Sequence, residues 1–377
     1  MSFATLALIG LIGLAGPLLA APSRLRVPVI IGQLAAGAVF GRSAFDLIDP
    51  TEPTLEFLAT VGFALVMFVA GSHVPVRDPN LLSGIRIGAL RAVAVGVVAT
   101  GLGWALAATV NSDHIGLYAV VMASSSAAVA LPIIESEKVA GPAVLQLLPQ
   151  IAIADAICIV AVPLVIDRAH APRAALGSVV VIAATIAVFV VLRYFDANGI
   201  RQRLHDVSQQ RKFAVELRVN LAILFALAAL ATWSHVSVLL AGFGFGLAVA
   251  AIGEPRRLAK QIFAVADGFL GPLYFVWLGA SLDLRDLVRH PNMIAVGVAL
   301  GLGGVLAHVA MRAFGQPVAV GALAAAQLGV PISASTLGTQ LDLFSPGEAP
   351  AIILGALITL VAATLGGVRL ARTNSQR

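Results

Sequence analysis

An all-α membrane protein of about thirteen transmembrane helices in two inverted repeats, with two crossing broken helices, is the fold that this sequence predicts. Three observations carry the expectation. The 377 residues are 59% hydrophobic and only 11% charged, a balance that belongs to integral membrane proteins. Apolar runs of about 18–25 residues, each long enough to cross a bilayer, recur from end to end. Segments of the two halves also match at an offset of 208 or 209 positions.

The apolar segments are, in order, 2–21, 27–41, 54–71, 86–109, 115–135, 140–166, 173–193, 213–233, 236–252, 262–282, 292–314, 318–340 and 349–371. The first lacks a basic start and is followed by Arg24 and Arg26, so it reads as a retained helix and not a signal peptide. Arg91, within the fourth, and Arg312, near the end of the eleventh, are expected to reach the membrane surface by snorkelling. Glu216 and Arg218 mark the interfacial start of the eighth. The longest polar loop, Asp196 to Lys212, is too short to fold alone. The whole of 1–377 therefore reads as one membrane domain.

The charge pattern predicts orientation. With thirteen spans and the C-terminus inside, 19 of the 24 Lys and Arg fall on the cytoplasmic side, leaving Arg42, Arg168, Arg173, Arg285 and Arg289 outside. That bias gives N-terminus out and C-terminus cytoplasmic by the positive-inside rule. The outer loops carry acids instead, among them Asp46, Asp49, Glu52, Asp113 and Glu348. A net charge of +5 spread this way faces anionic lipid and not nucleic acid. Three Lys against twenty-one Arg, in an Ala-rich chain, suggest a high-GC bacterium and so a bacterial plasma (inner) membrane.

The repeat rests on three matches in one register. Val27-Pro-Val-Ile-Ile-Gly32 through Gly37 resembles Val236-Ser-Val-Leu-Leu-Ala241 through Gly246; Met67-Phe-Val-Ala-Gly71 resembles Phe275-Val-Trp-Leu-Gly279; and Ser124-Ser125-Ser126 falls opposite Ser333-Ala-Ser335. The offset spans seven helices, an odd number, so the copies (about 2–166 and 213–371, with 173–193 as linker) are inverted. Such repeats place a binding site between them, on discontinuous helices. Ser, Gly and Pro cluster within 115–135 and 318–340. Ser124, Ser125, Ser126, Ser333 and Ser335 are thus expected in two non-helical crossing segments that bracket an ion.

Asp155 is the only charged residue between Lys138 and Asp167. A carboxylate there costs roughly 2.5–3.5 kcal/mol to insert on the translocon scale, so it reads as a site that a proton and a cation occupy in turn. Its own helix offers only Ile151, Ala152, Cys158 and Ile159 one turn away. His308, lone on an apolar helix, is a candidate proton relay. No nucleotide-binding loop, dinucleotide fingerprint, metal-ligand spacing or hydrolase triad occurs, and the single Cys158 permits no intrachain disulfide. The reading is a non-enzyme with no cofactor, on which a proton and a cation take turns within the lipid bilayer.

Several motifs resemble the monovalent cation:proton antiporter superfamily, in particular its Kef-like sodium/hydrogen exchanger branch, over essentially the whole chain. They are Val27-Pro through Gly41, Phe68-Val-Ala-Gly71, Ala123-Ser-Ser-Ser126 through Glu135, Ala241-Gly-Phe243 with Gly246, and Tyr274-Phe-Val-Trp-Leu-Gly279 with Leu282-Asp283. The resemblance implies that Asp155 is the ion-carrying aspartate. It also implies a homodimer, in which a dimerisation domain stands beside a mobile core and access alternates. Electrogenic members carry a second Asp where this chain has Ala154, and a Lys on the helix that here bears only His308 and Arg312. Both losses point to one-for-one, electroneutral exchange. The family's Gly-Glu of the twelfth helix reads Gly329-Val330, and its Gly-Leu-Glu after the third reads Gly71-Ser72-His73, which leaves the cation open. The alternatives are an organic-anion symporter on the same fold and a non-transporting membrane regulatory subunit.

Overall fold

The computed structural model describes residues 1–21, 29–74, 76–77, 79–136, 142–167, 170–200, 213–234, 236–253, 256–282 and 284–374. Among them every regular element is helical. Arg24, Arg26, Lys138, Arg168, Asp283 and most of the loop between Asp196 and Lys212 lie outside the described residues. Ten helical stretches are long and apolar enough to cross a membrane, and they coincide with ten of the predicted segments. The other three predicted segments fall on two shorter apolar helices, of 12 and 15 residues, and on a broken pair.

In chain order the helices are α1 (Phe3–Gly13), α2 (Ala15–Ala20), α3 (Val29–Phe40), α4 (Pro53–Ser72), α5 (Pro79–Val110), α6 (Ile115–Ala123), α7 (Ala127–Ser136), α8 (Pro142–Ile166) and α9 (Ala171–Ala197). There follow α10 (Val215–Trp233), α11 (Val238–Ile252), α12 (Arg256–Val265), α13 (Gly271–Ser281), α14 (Leu284–Arg289), α15 (Pro291–Val309), α16 (Val318–Ala324), α17 (Gly329–Gln340) and α18 (Glu348–Asn374). Local chemistry sets several starts. Glu52 accepts the Leu55 N–H at 2.8 Å with Pro53 at the first helical position, and Ser237 accepts the Leu239 N–H at 3.3 Å ahead of α11.

The helices pack as two bundles. In one, α3 lies on α13 and α4 on α11, with α1 and α2 alongside; in the other, α5, α6, α8, α15, α16, α17 and α18 pack together. α9 joins them by touching α8 and α11, and α4 reaches across to α7. The outward faces of α5 and α9 expose Leu90, Val93, Val97, Leu176, Val179 and Val190. An apolar exterior is what a bilayer requires.

Glycine sets how closely the first bundle packs. A Cβ at Gly37 would stand 3.0 Å from Gly279 Cα, and one at Gly246 would stand 2.9 Å from Gly71 Cα, so backbone meets backbone at both places. These contacts exchange under the sequence offset: Gly37 corresponds to Gly246 and Gly71 to Gly279. The α3–α13 contact therefore has its counterpart in α11–α4. Small-residue packing of this kind is how membrane helices associate where lipid removes the hydrophobic drive.

Replacing Gly37 or Gly246 by Leu should destabilise the protein by about 2–3 kcal/mol or more, the range of overpacked cores. A melting curve in detergent that matches the parent for both variants would show that the helices do not meet this closely.

Candidate functional site

Asp155 sits near the middle of α8, only 5% exposed. Among the described residues its one hydrogen bond comes from the backbone N–H of Ala127, which reaches Oδ2 at a long 3.4 Å. No basic side chain pairs with it among the described residues. Ala127 is the first residue of α7, so the carboxylate faces the positive end of a helix that begins inside the protein. Pro149 and Pro163 lie within α8 on either side of Asp155, and neither can donate to the carbonyl four residues before it. Polar ties hold the first half of α8: Arg91 donates to Gln146 Oε1 at 3.1 Å and to the Phe314 carbonyl at 3.0 Å, and Gln316 Nε2 donates to Gln150 Oε1 at 2.9 Å. Arg91 is thus 4% exposed, a buried strut and not the snorkelling side chain expected.

Two helices break beside this carboxylate. α6 stops at Ala123, Ser124 is extended (φ −70°, ψ 148°), and α7 starts at Ala127. α16 stops at Ala324 and α17 starts at Gly329. Each break caps the other. Ser125 Oγ donates to the Ala324 carbonyl at 2.7 Å, and Gln327 Nε2 donates to the Met122 carbonyl at 3.3 Å. Two helix ends that would otherwise bury bare carbonyls are satisfied reciprocally. Gln327 Oε1 remains buried without a hydrogen-bond partner.

α15 presses against both breaks. A Cβ at Gly303 would strike the Met122 side chain and one at Gly304 would lie 2.7 Å from Gln327 Nε2. His308, fully buried, has Nδ1 2.8 Å from the Gly304 carbonyl and Nε2 3.1 Å from Ser125 Oγ. This chain of contacts ends on amide carbonyls at both sides, and no contact leads from the imidazole to Asp155.

The serines divide. Ser124, Ser125 and Ser126 lie in the first break, next to the residue that touches Asp155. Ser333 and Ser335, expected in a second non-helical segment, lie inside α17, and the break is at 325–328. The physical reason is Pro331. Proline is accommodated in the first turn of a helix, where its missing N–H has no intrahelical partner to lose, so it marks the start of α17 and puts both serines into the helix that follows. Ser333 Oγ instead donates to Ser237 Oγ at 2.9 Å, and Ser335 Oγ meets the Ala349 carbonyl at 3.4 Å. The pairing of Ser124–Ser126 with Ser333–Ser335 therefore does not hold in space. Gln327 takes the place expected of them; a lone glutamine two residues before Gly-Val-Pro is its only sequence signal.

Glu348 is a second departure. Expected in a solvated loop, it is 1% exposed at the start of α18. It accepts from Tyr118 Oη at 2.8 Å and from the Ser345 N–H at 3.1 Å, and pairs with His114 Nδ1 at 2.7 Å. This joins the starts of α6 and α18.

A cavity of about 540 Å³ opens between the two bundles. Phe63, Tyr274 and Trp277 line one wall and Ser333, Thr336 and Pro163 the other, with Asp167, His170 and Arg173 at the rim. Pro163, in its lining, lies eight residues beyond Asp155, about 12 Å along a helix.

The profile of the family described as "Sodium/hydrogen exchanger, transmembrane" matches residues 7–373. A curated relative, the putative Na(+)/H(+) antiporter YjbQ of Bacillus subtilis, is 21% identical over 96% of this chain and 62% of its own length. The glutathione-regulated potassium-efflux system protein KefC of Klebsiella pneumoniae is 28% identical over 72% of this chain and 44% of its own. The chain thus spans about half to two-thirds of the curated relatives it matches. Among solved structures, the sodium proton antiporter MjNhaP1 of Methanocaldococcus jannaschii superposes with a TM-score of 0.67 at 16% identity, covering 98% of both chains. That likeness establishes the fold.

Removing the Tyr118 hydroxyl takes one of the donors from a buried carboxylate. Tyr118→Phe should cost about 1–3 kcal/mol, read as a lower melting temperature in detergent. A Tyr118→Phe protein as stable as the parent would mean that Glu348 is solvated and that the α6–α18 tie carries no weight.

Proposed function

The chain belongs to the sodium/hydrogen exchanger family, and from that premise we propose that it exchanges a monovalent cation, Na⁺ or K⁺, for protons by alternating access at Asp155. The observation that carries this reading is the carboxylate itself, buried with one long hydrogen bond and no described basic partner. A structural carboxylate at such depth gathers donors, as Glu348 does. Asp155 instead leaves acceptor positions open for a proton or a cation, at the N-terminus of a broken helix whose dipole lowers the cost of its charged form. Ser124, Ser126 and the freed carbonyls around them are the proposed supporting ligands, while the Ser125 hydroxyl is engaged on the Ala324 carbonyl.

The cavity between the bundles supports alternating access, since its lining reaches α8 at Pro163, about 12 Å along the helix from Asp155. Exchange of the Gly37–Gly279 and Gly246–Gly71 contacts under the sequence offset supports the inverted repeat, with the glycine-packed bundle as scaffold and as the surface of a homodimer. An N-out, C-in orientation in a bacterial inner membrane follows from the Lys and Arg distribution. Ala154 beside Asp155, and His308 in place of a lysine, support a one-for-one cycle when His308 carries no proton. The site then crosses neutralised by either ligand, which avoids moving a bare charge through about 100 mV at roughly 2.3 kcal/mol. The walls of the crossing carry Ser and Gln but no described cationic group beside Asp155, which disfavours an organic anion.

Proton movement in proteoliposomes on addition of Na⁺, K⁺ or Li⁺ tests the activity. Asp155→Asn should abolish the cation-induced signal while expression and melting temperature stay near those of the parent; near-normal flux in that variant removes Asp155 as the carrier. For stoichiometry, vesicles clamped with valinomycin at a pH of about 8 or above, beyond the ordinary histidine range, should show Na⁺ uptake that does not respond to the imposed potential. Uptake that scales with potential there rules out the electroneutral cycle.

A further inference from the structure

The contacts that join His308 and Ser125 need one proton more than a neutral imidazole and a hydroxyl supply. Nδ1 faces the Gly304 carbonyl at 2.8 Å and needs a proton to bond it. Ser125 Oγ lies 2.7 Å from the Ala324 carbonyl and must donate its only proton to bond that. Nε2, 3.1 Å from the same Oγ, then needs a proton of its own. Three contacts require three protons, which the imidazolium and the hydroxyl together supply. A neutral imidazole and the hydroxyl supply two. With Nδ1 held to Gly304, the neutral ring presents the bare lone pair of Nε2 to Ser125, and the hydroxyl turns to donate there. The Ala324 carbonyl then loses its donor.

That carbonyl is at the C-terminal, negative end of α16, at the break. Gln327 Oε1, three residues later, is already buried there without a donor. Ser125 is two residues from Ala127, whose N–H meets Asp155. Building on the exchange reading above, we propose that His308 and Ser125 form a second proton-responsive element of the crossing: protonated His308 locks the Ser125 hydroxyl onto Ala324, and neutral His308 draws it away and leaves the carbonyl open to a cation. His308 and Ser125 are positioning residues in this scheme, and no proton passes along them to Asp155.

The groups on the elements packed against α15 are engaged elsewhere. Tyr118 of α6 and Glu348 of α18 bond each other, Arg91 of α5 holds Gln146 and Phe314, Arg285 of α14 holds Ser43 and Ala44, and Asp286 meets His290. Arg86 of α5, Arg289 of α14, Arg312 after α15, and Arg369 and Arg372 of α18 complete the set, and among the described residues none touches the imidazole. The proton state of His308 therefore reports to the crossing through Ser125 alone.

The test is the pH dependence of the half-saturating Na⁺ concentration in proteoliposomes. One competing proton shifts apparent affinity by at most about tenfold per pH unit, and two coupled protons by up to about a hundredfold. The parent should exceed tenfold on the acid side. Ser125→Ala should bind Na⁺ more tightly there and fall to tenfold or less, because Ala324 is never covered. His308→Phe should also fall to tenfold or less but bind more weakly, because the hydroxyl stays on Ala324. Ser125→Thr, which keeps the hydroxyl, should retain the parent's steepness and shows that the position tolerates change. A parent slope of tenfold or less, or a steep slope that survives in Ser125→Ala, overturns the proposal while leaving Asp155 exchange intact. A parent without any cation-induced flux overturns the exchange reading itself.

Discussion

The rest of the molecule depends on how it satisfies two broken helices inside a membrane. Lipid offers no hydrogen bonds, so each interrupted backbone must find its partners within the protein. Here the two interruptions serve each other: Ser125 covers the last turn of α16 and Gln327 the last turn of α6. The positive start of α7 is left facing Asp155. Three facts that look separate in the sequence, namely a serine run, a lone glutamine and a lone aspartate, are consequences of one crossing.

The crossing also accounts for the difference in chemistry among the surrounding helices. The bundle that contains it is tied by polar struts, with Arg91, Gln146, Gln150 and Gln316 on one side and Glu348, Tyr118 and His114 on the other. These hold α8, α6 and α18 in register around Asp155. The other bundle uses almost no side-chain chemistry at its main contacts; α3 meets α13 and α4 meets α11 through glycine backbones. A polar cage thus stands beside an apolar frame, with a cavity between them and the hydrogen bond from Ser333 to Ser237 joining the two.

How much of this is legible in the chain follows from range. Helix positions are legible because hydropathy is local, and the apolar segments coincide closely with helices. Asp155 is legible because a single charge in a long apolar run costs too much to be incidental. Gly37, Gly71, Gly246 and Gly279 are legible because close packing demands a small residue, and they match in pairs at the offset of 208 or 209. The second break is not, since serine looks like the unwound element when Pro331 is the true marker of a helix start. Glu348 and Arg91 mislead for a related reason: their partners lie 230 and 223 residues away, and nothing adjacent in sequence announces them. The reciprocal capping by Gln327 depends on a contact across 205 residues and is equally hidden.

The contrast between Glu348 and Asp155 bears most directly on function. Both are buried carboxylates in the same bundle. Glu348 has a phenol, an imidazole and a backbone N–H around it, and so is fixed in one role. Asp155 has a single N–H at the edge of hydrogen-bond distance. A protein whose only task was to hold a partner in the membrane could replace such a residue by Ala or Leu and gain stability, because an under-satisfied buried charge is among the costliest features a fold can carry. Its presence at the start of a broken helix is what the proposed exchange requires, in which protons and cations supply in turn the partner that the fold leaves out.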